Sequence, residues 1–352
     1  MNSAPRKVSA ASLEAFIARA FIAIGISAAE AKNIAELMTR ADVNGADGHG
    51  VFRLSQYIRR IKGGAVNIKP KIKIEREAAG MALVDGDNGM GHLVMRFAAE
   101  KAIEKARTSG VAWVGVKWSN HAGPASLYAS MPIEHEMIGV YLAVGNANHL
   151  AAWGGLDMLL STNPIAVGVP AGEEPPIVLD MATTVAAYGK VKTAAQRGET
   201  MPEGWMIDRM GKALTDPKRA NEGLLLPIGG YKGYGLALVF GLLAGTLNAA
   251  AMGRDVVDFN NDDTTPTNTG HAIVAINVAM FRELAEFKAS VDQLIRDIRN
   301  SKRLPGVDAI RLPGEQSHAK RAERLHSGIP LPAPLLKSLG ELAVELKIAP
   351  LA

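Results

Sequence analysis

No cysteine occurs in the 352 residues. That excludes a disulfide scaffold, a thiol nucleophile, a cysteine-ligated zinc and an iron–sulfur cluster together. Aromatic residues make up only 5%, which gives no stacked platform for reading nucleic acid. Neither sign of charge dominates: 39 Lys and Arg stand against 35 Asp and Glu, a formal surplus of +4. The basic residues are scattered rather than striped, so nucleic acid is not an expected partner. The surplus fits an anionic small molecule equally well. Long apolar runs are also missing. The most apolar stretch, Leu236 to Leu247, is well short of the roughly 20 residues of a membrane span and is expected as a buried core helix. Phe16 to Ile26 is interrupted by Arg19 and reads as a helix face, not a signal peptide. A cytoplasmic protein without a membrane partner is the expectation.

What is present is ordinary globular material, 48% hydrophobic and 21% charged, long enough for roughly two domains of about 150 residues. Helical periodicity runs through residues 8–41, with Ser27 and Glu30 spaced as a capping box. A glycine-rich loop, 45–50, follows, and helical spacing resumes from Phe52 to Ile61. Ile72 to Val84 reads as extended, and glycines 86, 89 and 91 precede a helix ending near Gly110. Val111 to Val116, Ile138 to Val144, Ile165 to Val169 and Ile177 to Leu179 read as buried strands. Helical patterns return at Thr184 to Arg197, Gly233 to Met252 and Arg282 to Arg299. Such alternation predicts an α/β layer architecture. The domains are expected as a helical region, 1–115, packed with the tail, 302–352, and an α/β region, 116–301.

Three constellations carry candidate chemistry. In the first, His49 lies between Gly48 and Gly50, and Arg53 and Tyr57 fall four apart on the following helix. An imidazole, a guanidinium and a phenol converging on one spot suit a carboxylate substrate, with Arg gripping the acid and His moving a proton. A plain loop histidine and a surface arginine fit the same pattern. In the second, Ser119-Asn120-His121-Ala122-Gly123-Pro124 follows a predicted strand, the end at which ligands collect in open α/β sheets. His121 is therefore placed for acid–base work, or simply packs in a capping loop. In the third, glycines 229, 230, 233 and 235 surround Lys232 at the start of a helix. Such a turn offers backbone N–H groups and a full charge to a phosphate.

Familiar alternatives fail on spacing. No Gly-x-Gly-x-x-Gly follows a strand, no Gly-x-Ser-x-Gly is present, and the eight histidines form no metal-ligand pattern. No metal site is expected.

Taken in order, the motifs resemble the type-2 malate/L-lactate dehydrogenase family, which also holds ureidoglycolate, sulfolactate and diketogulonate enzymes and cyclic-imine reductases. The resemblance spans roughly residues 11–320. It rests on Ala41-Asp42 through His49-Gly50, Ser119-Asn120-His121, Ser161-Thr162-Asn163-Pro164 and Val178-Leu179-Asp180-Met181-Ala182-Thr183. Pro202-Glu203-Gly204-Trp205, Thr215-Asp216-Pro217 and Gly229 through Gly235 complete it. Many members carry Ser before the loop histidine, where this chain has Gly48; the segment from Asn146 to Trp153 also departs from the usual form.

The resemblance implies a non-Rossmann layered α/β dinucleotide-binding domain with a helical N-terminal/C-terminal domain, and a homodimer. It implies hydride transfer between NAD(P)H and C2 of a small 2-oxo acid, with NAD the cofactor leaned toward and NADP open. His49 would be the proton donor and His121 a second acid/base group; Asp180 would help orient the histidine. Arg53 and Tyr57 would hold the substrate. Asn146, Thr162, Asn163, Asp180, Met181, Ala182, Lys232, Gly314, Glu315 and Gln316 would line the cofactor. A cyclic imino-acid reductase is the alternative within the fold. A non-catalytic ligand-binding protein of the same fold is the alternative from another class, disfavoured by the two retained histidines.

Overall fold

The computed structural model describes residues 5–352. Helices α1 (Ala10–Ala23) and α2 (Ala28–Val43) begin on serine caps: Ser9 Oγ accepts the Ser12 N–H, and Ser27 Oγ accepts the Glu30 N–H while donating to its carboxylate at 2.6 Å. The capping box expected at Ser27 is therefore made. Helix α3 (Leu54–Lys62) follows the 45–50 loop. Leu13, Phe16, Ile17, Ile34, Met38, Leu54 and Ile58 form one core with Leu339, Leu342 and Ala343 from the far end of the chain. A short strand, Arg6–Val8, pairs antiparallel with Ile329–Leu331, so the two termini share one layer.

Seven strands make the main sheet: β1 (Lys73–Ala78), β2 (Met81–Asp85), β3 (Val111–Ser119), β4 (Met137–Ala143), β5 (Ile165–Val169), β6 (Ile177–Met181) and β7 (Thr269–Asn277). Their order is β1-β2-β3-β7-β4-β5-β6. Only β2 and β3 run parallel; every other neighbouring pair is antiparallel. The result is an α/β fold with a mixed sheet. Helix α4 (Gly91–Ser109) covers one face, where Ala98, Ala99, Ala102 and Ala106 pack with Val114, Ile273 and Ala275. The small residues let helix and sheet approach closely.

Helix α5 (Tyr188–Arg197) and the hairpin Met206–Asp208/Gly223–Leu225 form a separate small lobe around Val191, Met201, Met206 and Leu225. Helix α6 (Tyr231–Ala244) packs on the second sheet face. Helices α7 (Leu284–Asn300), α8 (Glu315–Ser327) and α9 (Ala333–Leu346) complete the chain.

Four expectations change. The boundary at 115/116 falls inside β3, which is paired on both sides. Strands β1 and β2 and helix α4 belong to the sheet layer, so the helical layer is residues 6–62 with 315–346. Residues 269–277, to which the sequence reading assigns no element, form the central strand β7. The expected buried helix at 236–247 ends at Ala244, and Leu236, Val239 and Leu242 are exposed. Its buried side is Gly233, Ala237, Gly241 and Ala244. Small residues face the protein and large apolar ones face outward, the reverse of an ordinary surface helix.

Candidate active site

The site begins where β3 ends. Trp118 takes a positive φ of 49°, rare for a bulky residue, and its N–H is held by Asn268 Oδ1 at 2.7 Å beside a bulge between β3 and β7. The chain is turned out of the sheet at Ser119. Asn120 fixes the new direction by donating to the carbonyls of Asn88 (3.1 Å) and Gly89 (2.9 Å) while Thr267 donates to its Oδ1. His121 comes next.

The 45–50 loop is held from behind. Asp42 at the end of α2 accepts the Val51 N–H at 2.8 Å. Arg324 of α8 bonds the Asp42 carbonyl and pairs with Asp47. Burial pushes the Asp42 carboxyl up to about 8. The loop carries His49 to a position parallel to His121, with ring centroids 5.7 Å apart and planes 11° apart. Phe259 also stacks on His121, at 4.9 Å and 12°. Tyr57, one turn along α3 from Arg53, lies 2.6 Å from His121 Nδ1. The Gly123 N–H points at the same nitrogen, so Nδ1 is the acceptor and Nε2 bears the proton.

Arg53 donates through Nε to the Gly48 carbonyl at 3.0 Å and through Nη1 to Gln56 (2.7 Å) and Asn260 (3.4 Å). Gln56 in turn holds the Phe259 carbonyl at 2.7 Å. Helix α3 thus fastens the polar 258–265 loop across the site, helped by Arg59 on Asp263 and Arg60 on the Thr265 carbonyl. Burial and the Arg53 charge push His49 down to about 4, and the same causes hold His121 well below the ordinary range. A histidine pKa near neutrality suits a reversible reaction; burial and the Arg53 charge instead keep both rings neutral at pH 7.

His49, Arg53, Tyr57 and His121 are therefore brought together. Asp180, at the end of β6, accepts the Ser126 N–H at 2.8 Å instead of bonding either histidine. Ser126 starts the helical turn that follows the His121 loop. Asp180 is crowded by protein atoms, which raises its pKa, yet its side chain opens to solvent. Met181 and Ala182 are half-buried beside it. Asn146 bonds Thr269 through its side chain, and its carbonyl accepts the Phe259 N–H at 2.9 Å. The Thr162 carbonyl accepts both the N–H and the hydroxyl of Thr183. Asn163 is fully buried, with Oδ1 on the Gly145 N–H and Nδ2 on the Ala237 carbonyl. Lys232 is exposed in the first turn of α6. Gly314, at φ 95°, lies against Val178 of the edge strand, while Glu315 pairs with Arg299 at 2.6 Å and Gln316 is exposed.

Phe259, Asn260 and Lys192 were not foreseen. The first two stand in an Asn/Asp-rich loop whose one aromatic was the available signal; Lys192 lies in the helical pattern of 184–197 with no motif to mark it. His149, in the segment that departs from the family pattern, stacks on Tyr188 at 3.9 Å. Trp153 is 57% exposed and lies against Gly230. No group of three or more His, Asp or Glu that could hold a metal ion occurs among the described residues.

Two stacked imidazoles stand beside a largely buried arginine, and the whole chain is similar to known dehydrogenases. The family model for malate/L-lactate dehydrogenase matches residues 8–340. The chain is 38% identical to a malate dehydrogenase of Pyrococcus abyssi, over 94% of this chain and 92% of that one. Its fold superposes on the malate dehydrogenase structure from Pyrococcus horikoshii with a TM-score of 0.90 at 34% identity, covering 99% and 97% of the two chains. A sulfolactate dehydrogenase structure from Methanocaldococcus jannaschii gives 0.90 at 34%, covering 97% and 98%. The protein is a 2-hydroxy acid dehydrogenase. It belongs to the malate/L-lactate dehydrogenase family, which implies a nicotinamide cofactor.

Proposed function

We propose that the chain moves hydride between NAD(P)H, with NAD preferred, and C2 of a small 2-oxo acid, through His49, His121 and Arg53. The observation that carries this reading is the His49–His121 stack with the Arg53 guanidinium beside it. Arg53 Nε and Nη1 are committed to Gly48, Gln56 and Asn260, which leaves Nη2 for a substrate carboxylate. Tyr57 fixes the tautomer and tilt of His121. When a carboxylate neutralises Arg53, the lesser of the two causes that depress His49 is relieved while burial remains, and its pKa rises. Proton readiness is thereby tied to substrate binding. His49 then delivers a proton to the oxygen on C2, and His121 Nε2–H is the second donor to the same oxygen.

The residues around the α6 N-terminus fit a dinucleotide. Gly229 and Gly230 take φ of 57° and 66°, a Cβ added at Gly229 or Gly235 would meet nothing, and Lys232 stands exposed beside them. Open backbone, a helix N-terminus and a cation suit phosphate groups. The bound nicotinamide supplies the hydride. In this reading Asp180, Met181 and Ala182 line the ring side, with Asn146, Thr162, Gly314 and Gln316 around it. Asn163 and Glu315 brace that wall, since their side chains are already spent on protein partners. The sheet that carries the cofactor has no doubly wound parallel order, the non-Rossmann arrangement of this proposal. A homodimer is proposed on the outward face of α6, where Val239, Leu242 and the following Leu247 are 49, 43 and 63% exposed.

The test is the initial rate of NADH and NADPH oxidation with pyruvate, oxaloacetate, 2-oxoglutarate and five- and six-membered cyclic imine carboxylates. Turnover of an open-chain 2-oxo acid is expected. Turnover of the imines alone would replace the reading with the cyclic-imine reductase, and coenzyme binding without any turnover would overturn it.

A further inference from the structure

Lys192 sits in the middle of α5, a lobe away from the histidines in sequence. Its Nζ donates to Asn260 Oδ1 at 3.0 Å, the same oxygen that Arg53 Nη1 reaches at 3.4 Å. Asn260 cannot turn its amide around: its Nδ2 and N–H are both held by Asp258 Oδ1, at 3.2 and 2.8 Å. Two full positive charges therefore share one neutral oxygen. Asp258 acts on Lys192 at longer range. The Tyr188 ring lies 5.5 Å below Nζ, and the Phe259 ring 5.6 Å from the Arg53 guanidinium, so the floor under both cations is aromatic. Burial and the Arg53 charge both hold the Lys192 ammonium below its ordinary range, with Asp258 opposing. Like charges this close in a half-buried site repel each other, and an anion reaching both relieves that repulsion.

We propose that Lys192 is a specificity-determining residue that receives a second anionic group of the substrate, so that the preferred 2-oxo acid is a dianion bearing a carboxylate or sulfonate on C3. Arg53 holds the C1 carboxylate and Lys192 the distal group, with C2 between them facing the histidines. A monoanion such as pyruvate neutralises Arg53 and leaves Lys192 unpaired. This inference rests on the proposed function for the position of C2, but the double cation site itself does not.

The experiment compares the wild type with Lys192→Met and Lys192→Arg, using NADH and three substrates: pyruvate, oxaloacetate and 3-sulfopyruvate. Binding of L-malate and L-lactate is measured alongside by calorimetry. The wild type is expected to favour a dianion over pyruvate by at least about 100-fold in kcat/KM. Lys192→Met should lower dianion kcat/KM about 30-fold or more, through KM, while pyruvate changes less than about 3-fold; Lys192→Arg should restore most of it. Oxaloacetate and 3-sulfopyruvate separate a carboxylate from a sulfonate as the favoured distal group. Equal losses on pyruvate and dianions, a wild-type preference for pyruvate, or a loss confined to the KM of NADH would each overturn the assignment. Absent turnover with malate still bound more tightly than lactate in a Lys192-dependent way would sink the proposed function and support the anion site. If malate and lactate bind alike, the anion site itself is refuted.

Discussion

Arg53 shows how one side chain serves several tasks at once. Its Nε and Nη1 tie together the catalytic loop at Gly48 and the crossing loop at Asn260, and its charge depresses both histidines. Replacing it should therefore do more than loosen substrate binding. Arg53→Ala is expected to raise KM for a 2-oxo acid by the equivalent of about 2–5 kcal/mol, the cost of losing a desolvated charged partner. It should also move the acid limb of the kcat/KM profile upward, because His49 is freed from repulsion. Steady-state kinetics across pH checks both, and an unchanged KM would remove Arg53 from the site. At this scale the sequence was informative about His49, Arg53, Tyr57 and His121, since the 49/53/57 spacing and a post-strand histidine are local patterns. It was silent on Phe259 and Lys192, which reach the site only because α3 and α5 meet the 258–265 loop.

Elements in this protein are positioned by what they omit. Gly139 of β4 and Gly168 of β5 are paired neighbours, and a Cβ on either would strike the Ala129 carbonyl oxygen. Their bare backbone lets the helical turn Ser126–Ala129 lie on the sheet, which sets both the His121 loop and the Ser126–Asp180 bond. Gly139→Ala should cost about 2 kcal/mol by overpacking and lower turnover as well. Gly48→Ala, where a Cβ meets nothing within 4 Å, should leave stability within about 0.5 kcal/mol. Urea denaturation of the two variants tests the contrast; equal effects would contradict it. Most helices and four sheet strands were legible from periodicity. β7 was not: its short apolar run follows the polar 258–268 segment and lacks alternation, because both its faces are covered, by α4 on one side and α6 on the other. The expected domain boundary failed for a related reason, since a strand inside a sheet offers no composition shift to mark it.

The fully buried histidines are held in neutral form. Burial pushes His271 down to about 4 and His92 to about 3, whereas both titrate near 6.5 when unfolded. The unfolded chain then binds protons that the folded chain refuses, so stability is fullest above pH 6.5 and falls as pH drops toward about 4. Each of these two fully buried rings should cost about 2 kcal/mol at pH 5. Asp42, raised to about 8, works in the opposite direction, losing its contribution as pH rises through that value. The buried histidines outnumber it, so the urea midpoint is expected to fall between pH 7 and pH 5; a flat profile would refute the assignment. Assembly belongs to this scale as well. Leu242→Glu on the outward face of α6 should convert the proposed dimer to monomer in sedimentation velocity, and an unaltered dimer would place the interface elsewhere.

The sequence by itself determined the layer class, the capping of α2, the loop that carries His49 and the glycine-rich start of α6. Each depends on residues within a turn or two of one another, where propensity and capping act directly. Only the tertiary structure decided that β7 occupies the centre of the sheet, that α6 turns its large side chains outward, and that Lys192 shares an oxygen with Arg53. Those outcomes depend on contacts between segments separated by tens to hundreds of residues, and such contacts are chosen by packing and desolvation across the whole fold.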